Sequence, residues 1–216
     1  MLSPLALGER FVWDVRLTYL CTSARAKKNM LQTLFLIVGI LLIFLLIGGY
    51  FLARYFLPYA ILQPGNKTGD QTPGNYDLPY EHFELQPTNS IKLDAFYVPA
   101  VGKAKANFIM LHGVGSCKEV YLNSVAELAK IGFNVVLWDQ RAHGKSGGKY
   151  LTYGYFEKGD VSLASDWLEN KTTGLPTGIY GNSMGGAVAI QSLAHDARLK
   201  FGLIESTFID LRTVSN

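Results

Sequence analysis

Two short runs of apolar residues, ANFIMLHG at 106–113 and FNVVLWD at 133–139, most strongly constrain how this chain can fold. Neither run alternates apolar with polar residues, as a strand with one face in water does. A continuous apolar strand needs cover on both faces, which it finds in a parallel sheet between two layers of helices. The two runs therefore predict an α/β fold.

The segments around these runs alternate between strand-like and helix-like patterns. The first two strands of this region are predicted to form an antiparallel pair, because both alternate apolar and polar residues. The pattern gives strands at 80–87, 90–99, 177–183 and 200–206 and helices at 116–132, 156–170 and 184–197. This order predicts a mostly parallel sheet with right-handed crossovers and helices on both faces.

The first of these helices carries signals at both ends. Ser116 followed by Glu119 matches a capping box, in which each side chain bonds the backbone of the other residue. Gly132 is well placed as the terminal cap. We therefore expect the helix to begin at Ser116 and to end before Gly132.

A separate apolar stretch, LFLIVGILLIFLLIGGYFLA, covers residues 34–53 without a charge. Twenty helical residues span about 30 Å, the thickness of the hydrocarbon core of a bilayer. The apolar part of a cleaved signal peptide is shorter, roughly 7 to 15 residues. We expect an uncleaved membrane anchor, while a cleaved signal peptide and a buried core helix stay open as alternatives.

Flanking charges predict the orientation of this anchor, because cations favour the cytoplasmic side. The cations that closely precede the stretch outnumber those that closely follow it; they are Arg16, Arg25, Lys27 and Lys28 before it, and Arg54 and Lys67 after it. The amino terminus is therefore expected in the cytoplasm and the rest outside it. The expected organisation is a leader at 1–30, a transmembrane anchor at 31–55, a linker at 56–78 and a folded domain at 79–216.

The charge balance argues against nucleic-acid binding. The formal net charge is +3, and residues 1–54 hold six Lys or Arg against two Asp or Glu, which leaves 14 against 15 beyond. The basic excess thus belongs to the membrane flank, and no nucleic-acid partner is expected. No CxxC pair, zinc-binding HExxH or phosphate-binding loop occurs, so no metal or other cofactor is expected.

The stretch IYGNSMGGAV at 179–188 places Ser183 where a strand must turn sharply into a helix. Gly181 and Gly185 would remove side chains that clash in such a turn. The turn exposes the serine hydroxyl at a helix amino terminus, where unpaired N–H groups face any negative charge that forms. That arrangement suits a nucleophile, although a plain glycine-rich turn would have the same letters.

The stretch MLHGVGS at 110–116 ends an apolar strand and opens a helix. Acyl transfer needs two preorganised donors for the developing oxyanion. The backbone N–H groups of Val114 and Met184 are the candidates for this oxyanion hole. His112 is expected to bond nearby backbone rather than to transfer a proton, since a base must reach the nucleophile.

Three motifs together carry a family resemblance: the His-Gly loop, the DQRAHGKS loop after the next strand, and the GNSMG turn. In this order and spacing the chain resembles the α/β-hydrolases from Tyr80 to about Leu211. The stretch LIESTFIDL at 203–211 further resembles the membrane-anchored, serine aminopeptidase-like and esterase-like subgroup.

This resemblance implies a serine hydrolase that acts on an ester, a thioester or an amide. Ser183 would be the nucleophile, with the Val114 and Met184 amides as the oxyanion hole. Asp139 and Arg141 would pair to organise their loop. The substrate would be a small acyl or peptide molecule. The only other partner implied is the membrane, which the anchor helix contacts.

The chain departs from the family pattern in its catalytic triad. In the family the base of the triad is a histidine late in the chain, so His143 is not taken as the base. The only histidine after Ser183 is His195, about 18 Å further along a helix. Glu205 and Asp210 stay open as candidates for the acid. We expect a domain that is incomplete at its carboxyl terminus, lacks the triad histidine and acid, and is an inactive fragment. The alternative is a non-catalytic, membrane-anchored binding protein on the same scaffold.

Overall fold

The computed structural model describes residues 4–65 and 67–208, and the chain divides after residue 58 into two compact units. In the first unit α1 (Pro4–Phe51) is followed by a π-helical segment (Leu52–Phe56). The short helix α2 (Leu57–Leu62) comes next. Helix α1 thus begins well before the expected anchor, in a leader whose sequence shows no amphipathic period.

One helix of the described residues is long and apolar enough to cross a membrane. It covers Lys27–Phe56 with a mean hydropathy of 2.9, and none of its most apolar window is buried. This range contains the whole uncharged stretch at 34–53. Length and composition therefore agree with the expected span.

The second unit is built on a six-stranded sheet with the order β1-β2-β4-β3-β5-β6. The strands are β1 (Glu81–Thr88), β2 (Ile91–Val98), β3 (Ala106–Leu111), β4 (Phe133–Trp138), β5 (Thr177–Asn182) and β6 (Leu199–Glu205). The pairings β1–β2 and β2–β4 are antiparallel, and the other three are parallel. The antiparallel start and the parallel remainder confirm the predicted sheet.

Helices cover both faces of this sheet. Their ranges are α3 (Leu122–Lys130), α4 (Glu157–Lys171) and α5 (Met184–His195). Val136 and Trp138 of β4 pack with α4 and α5, whereas Val135 and Leu137 pack with α3. Neighbouring residues of one strand thus enter opposite cores, which explains why β4 is apolar without alternation.

The start of the helical region after β3 differs from the prediction. A 3₁₀ turn (Lys118–Tyr121) precedes α3, and its N-cap is Cys117, without a side-chain cap. The predicted capping box between Ser116 and Glu119 is wrong. The Glu119 carboxylate lies 3.3 Å from the Lys118 Nζ atom instead. The expected end is correct, since Gly132 follows α3 with a φ of 98°.

Part of the segment at 56–78 is packed, although its prolines and glycines indicated a linker. A 3₁₀ turn (Pro73–Tyr76) forms there, and the Thr72 N–H donates to Asn75 Oδ1 at 2.7 Å. Pro73 is buried, and Leu78 joins the core beneath α3. The last residues of this segment therefore belong to the folded domain.

A fully buried lysine in the segment after β3 joins strand β2 to the carboxyl end of β4. The Lys118 Nζ atom donates to Asp94 of β2 at 2.5 Å and to Asp139, just after β4, at 2.8 Å. It also lies 4.8 Å from the ring centroid of Phe96. Burial opposes the charge of Lys118, but these hydrogen bonds outweigh it and raise the lysine pKa.

We predict that Lys118→Met lowers the free energy of unfolding by about 3–5 kcal/mol, because the buried Asp139 and the partly buried Asp94 lose their cation. Lys130→Met is the matched control, since the Lys130 pair with Glu127 is exposed and contributes at most about 1 kcal/mol. Denaturant unfolding of the full chain in detergent, followed by tryptophan fluorescence, measures both. Equal unfolding midpoints would contradict a structural role for the buried pair.

Candidate active site

Ser183 occupies the single residue between strand β5 and helix α5. Its backbone has φ 52° and ψ −117°, a conformation that costs a non-glycine residue on the order of 1–3 kcal/mol. Its N–H donates to Glu205 O at 2.9 Å, and its carbonyl accepts from Gly186 N at 3.0 Å and from the Thr207 hydroxyl at 2.8 Å. These bonds hold the strained turn in place.

The Ser183 side chain is half-buried and makes no capping bond to the helix that it precedes. Within the described residues no donor or acceptor engages its hydroxyl. The turn therefore fixes the backbone while the hydroxyl stays available.

Two glycines permit this turn, because backbone atoms of neighbouring residues occupy the space that a side chain would need. A Cβ atom at Gly185 would lie 2.3 Å from Leu111 O and 2.8 Å from His112 O. A Cβ atom at Gly181 would lie 2.1 Å from Gly185 O. The first turn of α5 thus rests directly on the end of β3, and both glycines avoid a clash, as the sequence predicted.

The loop after β3 lies against the serine. A Cβ atom at Gly113 would be 3.3 Å from Ser183 Cβ. The next residue, Val114, is exposed. Neither the Val114 N–H nor the Met184 N–H has a hydrogen-bond acceptor among the described residues. Two unpaired amide donors therefore belong to the two segments that meet at Ser183.

The two histidines beside this loop are committed to backbone hydrogen bonds. His112 Nδ1 donates to Gly113 O at 2.8 Å, and its Nε2 accepts from Gln140 N at 2.9 Å. His143 Nδ1 donates to Arg141 O at 2.8 Å, and its Nε2 accepts from Gly115 N at 3.0 Å.

Burial keeps both imidazoles neutral. It lowers the pKa of His112 to about 4, and it also lowers the pKa of His143. Both rings therefore connect loops to one another. This confirms the structural role expected for His112.

The expected pairing of Asp139 with Arg141 is wrong. Arg141 donates to Asp160 of α4 through Nε at 2.6 Å and through Nη2 at 2.7 Å. The Asp139 carboxylate is already occupied by Lys118 and by the Lys145 N–H, at 2.9 Å. Each residue does organise the loop, but through a different partner.

No histidine or carboxylate of the described residues bonds the Ser183 hydroxyl. His195 is exposed at the far end of α5. Glu205 accepts a hydrogen bond from the Tyr180 hydroxyl at 2.5 Å. Asp210, the other candidate acid, lies outside the described residues. Thr207, which bonds the serine carbonyl, was missed because a lone threonine carries no signal in the sequence.

The second unit has a mixed sheet with helices on both faces. Its strand β5 turns sharply into α5 at Ser183, and the loop after β3 lies against this turn. This is the architecture of an α/β-hydrolase. The family can also be stated. The chain belongs to the serine aminopeptidase S33 family, whose sequence pattern matches residues 102–209. This half of the chain contains both loops and the turn.

One solved structure and two curated proteins are similar to this chain. An esterase of Pyrococcus furiosus is 32% identical with a TM-score of 0.63, over 70% of this chain and 60% of the esterase. The uncharacterised protein YqkD of Bacillus subtilis is 40% identical over 38% of this chain and 27% of its own length. An uncharacterised membrane protein of Saccharomyces cerevisiae is 26% identical over 73% of this chain and 56% of its own. The chain thus spans less than two thirds of each.

We predict that Gly185→Ala lowers the free energy of unfolding by at least about 3 kcal/mol, because the new methyl group would meet the backbone of β3. Gly159→Ala is the control, since a Cβ atom at this α4 position meets nothing within 4 Å. This control should leave stability unchanged or raise it by up to about 1 kcal/mol. Thermal unfolding of the full chain compares the two, and equal melting temperatures would refute the close approach.

Proposed function

We propose that the protein is a membrane-anchored serine hydrolase that attacks the carbonyl carbon of an ester, thioester or amide through Ser183. The observation that carries this proposal is the strained turn at Ser183, which leaves its hydroxyl unpaired beside two unpaired amides. The esterase of Pyrococcus furiosus is similar to this chain and supports an acyl substrate.

In the proposed reaction the serine oxygen bonds the carbonyl carbon, and the carbonyl oxygen becomes an oxyanion. The N–H groups of Val114 and Met184 would stabilise this charge, aided by the amino-terminal end of α5. The proton of the serine hydroxyl passes to water, and the alcohol, thiol or amine takes up a proton from water as it leaves. A second water molecule then hydrolyses the acyl-serine bond, which releases the acid and restores the hydroxyl. The chemistry needs no metal or other cofactor.

The serine proton needs an acceptor, and the histidines limit the choice. The sequence has four, and each lies in the described part of the chain. His112 and His143 bind backbone, His82 pairs with Asp94, and His195 ends α5. Oxyanion stabilisation without the triad gives about 10³- to 10⁴-fold acceleration over water, and we expect these 216 residues to act at that level.

The same observation favours a second candidate, a membrane-anchored protein that binds a ligand on this scaffold without turning it over. A cleft with oriented amide donors and no base binds a carboxylate or carbonyl oxygen without cleaving a bond. The two candidates differ in covalent reaction at Ser183.

We predict that a fluorophosphonate probe labels the protein in its own membranes at Ser183 and does not label Ser183→Ala. Val114→Pro should lower hydrolysis of p-nitrophenyl butyrate about 10²- to 10³-fold, because one oxyanion donor is lost. Proline suits this position, since Gly115 follows with a φ of 67° as in a tight turn.

Val114→Ala keeps the N–H group and should retain the activity of the parent. Labelling of Ser183→Ala at the rate of the parent would refute the nucleophile. Absence of labelling in the parent, together with retained binding of p-nitrophenyl butyrate, would favour the binding protein.

We propose that the helix over Lys27–Phe56 crosses the membrane once, with the amino terminus in the cytoplasm and the sheet domain outside it. Its length and hydropathy support a span. Arg25, Lys27 and Lys28 precede its apolar part, whereas Arg54 lies near its end. An uncharacterised yeast membrane protein is similar to this chain, which supports the location.

We predict that protease added to vesicles with their cytoplasmic face outward removes the leader and leaves a carboxyl-terminal tag intact. Replacing Arg25, Lys27 and Lys28 together by Gln should increase the digested fraction of the tag, because the cytoplasmic bias is lost. Arg54→Gln is the control and should leave the tag protected. Complete digestion of the tag in the parent would contradict the proposed orientation.

A further inference from the structure

The loop after β4 presents two aromatic side chains to solvent. Tyr155 is 69% exposed and Phe156 is 53% exposed. Among the described residues beyond 59, no other large hydrophobic side chain is as exposed as Tyr155. Exposed neighbouring aromatic residues on a folded domain mark an interaction surface.

This loop is held rigidly by a buried carboxylate. Glu157 accepts hydrogen bonds from Thr152 N at 2.7 Å, from the Thr152 hydroxyl at 2.6 Å and from Gly154 N at 2.8 Å. The Phe156 N–H donates to the same Thr152 hydroxyl at 3.0 Å. The aromatic side chains therefore extend from an ordered backbone, which reduces the entropy lost on binding.

The loop is also joined to the segment that follows the apolar helix. The Leu151 N–H donates to Leu62 O at 3.0 Å, and the rings of Tyr59 and Tyr150 lie 6.0 Å apart. Leu62 is six residues beyond Phe56, so the chain between them spans about 9 Å as a helix and at most about 22 Å extended. The aromatic loop is therefore bonded to a residue that lies six positions along the chain from the end of the apolar helix.

The charges around these rings are positive. The Lys149 Nζ atom lies 5.2 Å from the Tyr150 ring centroid, and the Lys158 Nζ atom lies 5.9 Å from that of Tyr155. The only carboxylate in 149–158 is the buried Glu157. Tyrosine favours the headgroup level of a bilayer, and lysine is attracted to anionic lipids.

We propose that this surface docks on the anionic phospholipid headgroups of the membrane that holds the anchor. The tyrosine–lysine surface consists of Tyr59, Lys149, Tyr150, Tyr155, Phe156 and Lys158. The proposal rests on the membrane anchor proposed above. Docking joins the domain to the bilayer at a second place, so the domain no longer rotates freely about its tether.

Docking also fixes the orientation of the candidate active site. The carbonyl oxygen of Tyr153, in the docking loop, accepts a hydrogen bond from Gln191 Nε2 of α5 at 2.7 Å. The Tyr153 ring lies 6.0 Å from that of Phe208, next to the threonine that bonds the Ser183 carbonyl. Tyr153, in the loop that carries the tyrosine–lysine surface, is therefore in contact with the elements that hold the serine turn.

The test places an environment-sensitive fluorophore on Phe156→Cys and, as a control, on Ile131→Cys, in the full chain carrying Cys21→Ser. Ile131 is 54% exposed and follows α3, and Cys117 is buried. The chain is reconstituted in vesicles of phosphatidylcholine, with or without phosphatidylserine, that carry a headgroup nitroxide quencher. We expect quenching at 156 but not at 131, and stronger quenching with phosphatidylserine.

Lys149→Gln combined with Lys158→Gln should lower the ratio of docked to free domain on the order of 25-fold in the anionic vesicles, at about 1 kcal/mol for each lysine. Lys130→Gln, on α3, should leave that ratio unchanged. Equal quenching at 156 and 131 in a chain that floats with the vesicles would overturn docking and leave the anchor intact. A chain that does not float would contradict both the anchor and the docking.

Discussion

The site depends on a close backbone contact between the first turn of α5 and the carboxyl end of β3. The contact leaves no room for a side chain, because a Cβ atom at Gly185 would lie 2.3 Å from Leu111 O. Four further hydrogen bonds hold the backbone of Ser183, one each from Gly186, Ala187 and Thr207 and one to Glu205. Ser183 keeps its strained backbone conformation because the surrounding sheet and helix hold the residue in it.

Buried charges hold the loops around this contact. Asp139 binds Lys118 and thereby joins the end of β4 to the segment before α3. Arg141 binds Asp160 and joins the same loop to α4. These pairs are costly to desolvate, so they act mainly by fixing geometry, and removing one partner leaves an uncompensated charge. Two apolar cores support the sheet, but charge pairs and neutral histidines position the loops at its carboxyl edge.

The sequence predicted what depends on neighbours along the chain. Continuous apolar runs predicted the covered strands, and glycines two places from Ser183 predicted the tight turn. The prediction failed where the partner comes from elsewhere in the fold. Arg141 was expected to pair with Asp139, two residues away. Asp139 instead binds Lys118, and Arg141 binds Asp160, so each has a partner that is remote in sequence. Lys118 gave no signal, because a lysine is ordinarily expected at the surface.

The acyl transfer proposed for this chain needs two things, donors for an oxyanion and an acceptor for the serine proton. Donors for an oxyanion require only backbone amides left unpaired by a local turn, and short motifs can specify them. Proton transfer requires a base with a free acceptor atom near the serine hydroxyl, and in the triad of this family that base is an imidazole. His112 and His143 lie beside the loop, but each accepts a backbone N–H at Nε2 and is kept neutral by burial. An imidazole that accepts a backbone N–H at Nε2 cannot also accept the serine proton at that nitrogen. These hydrogen bonds therefore exclude His112 and His143 as the base.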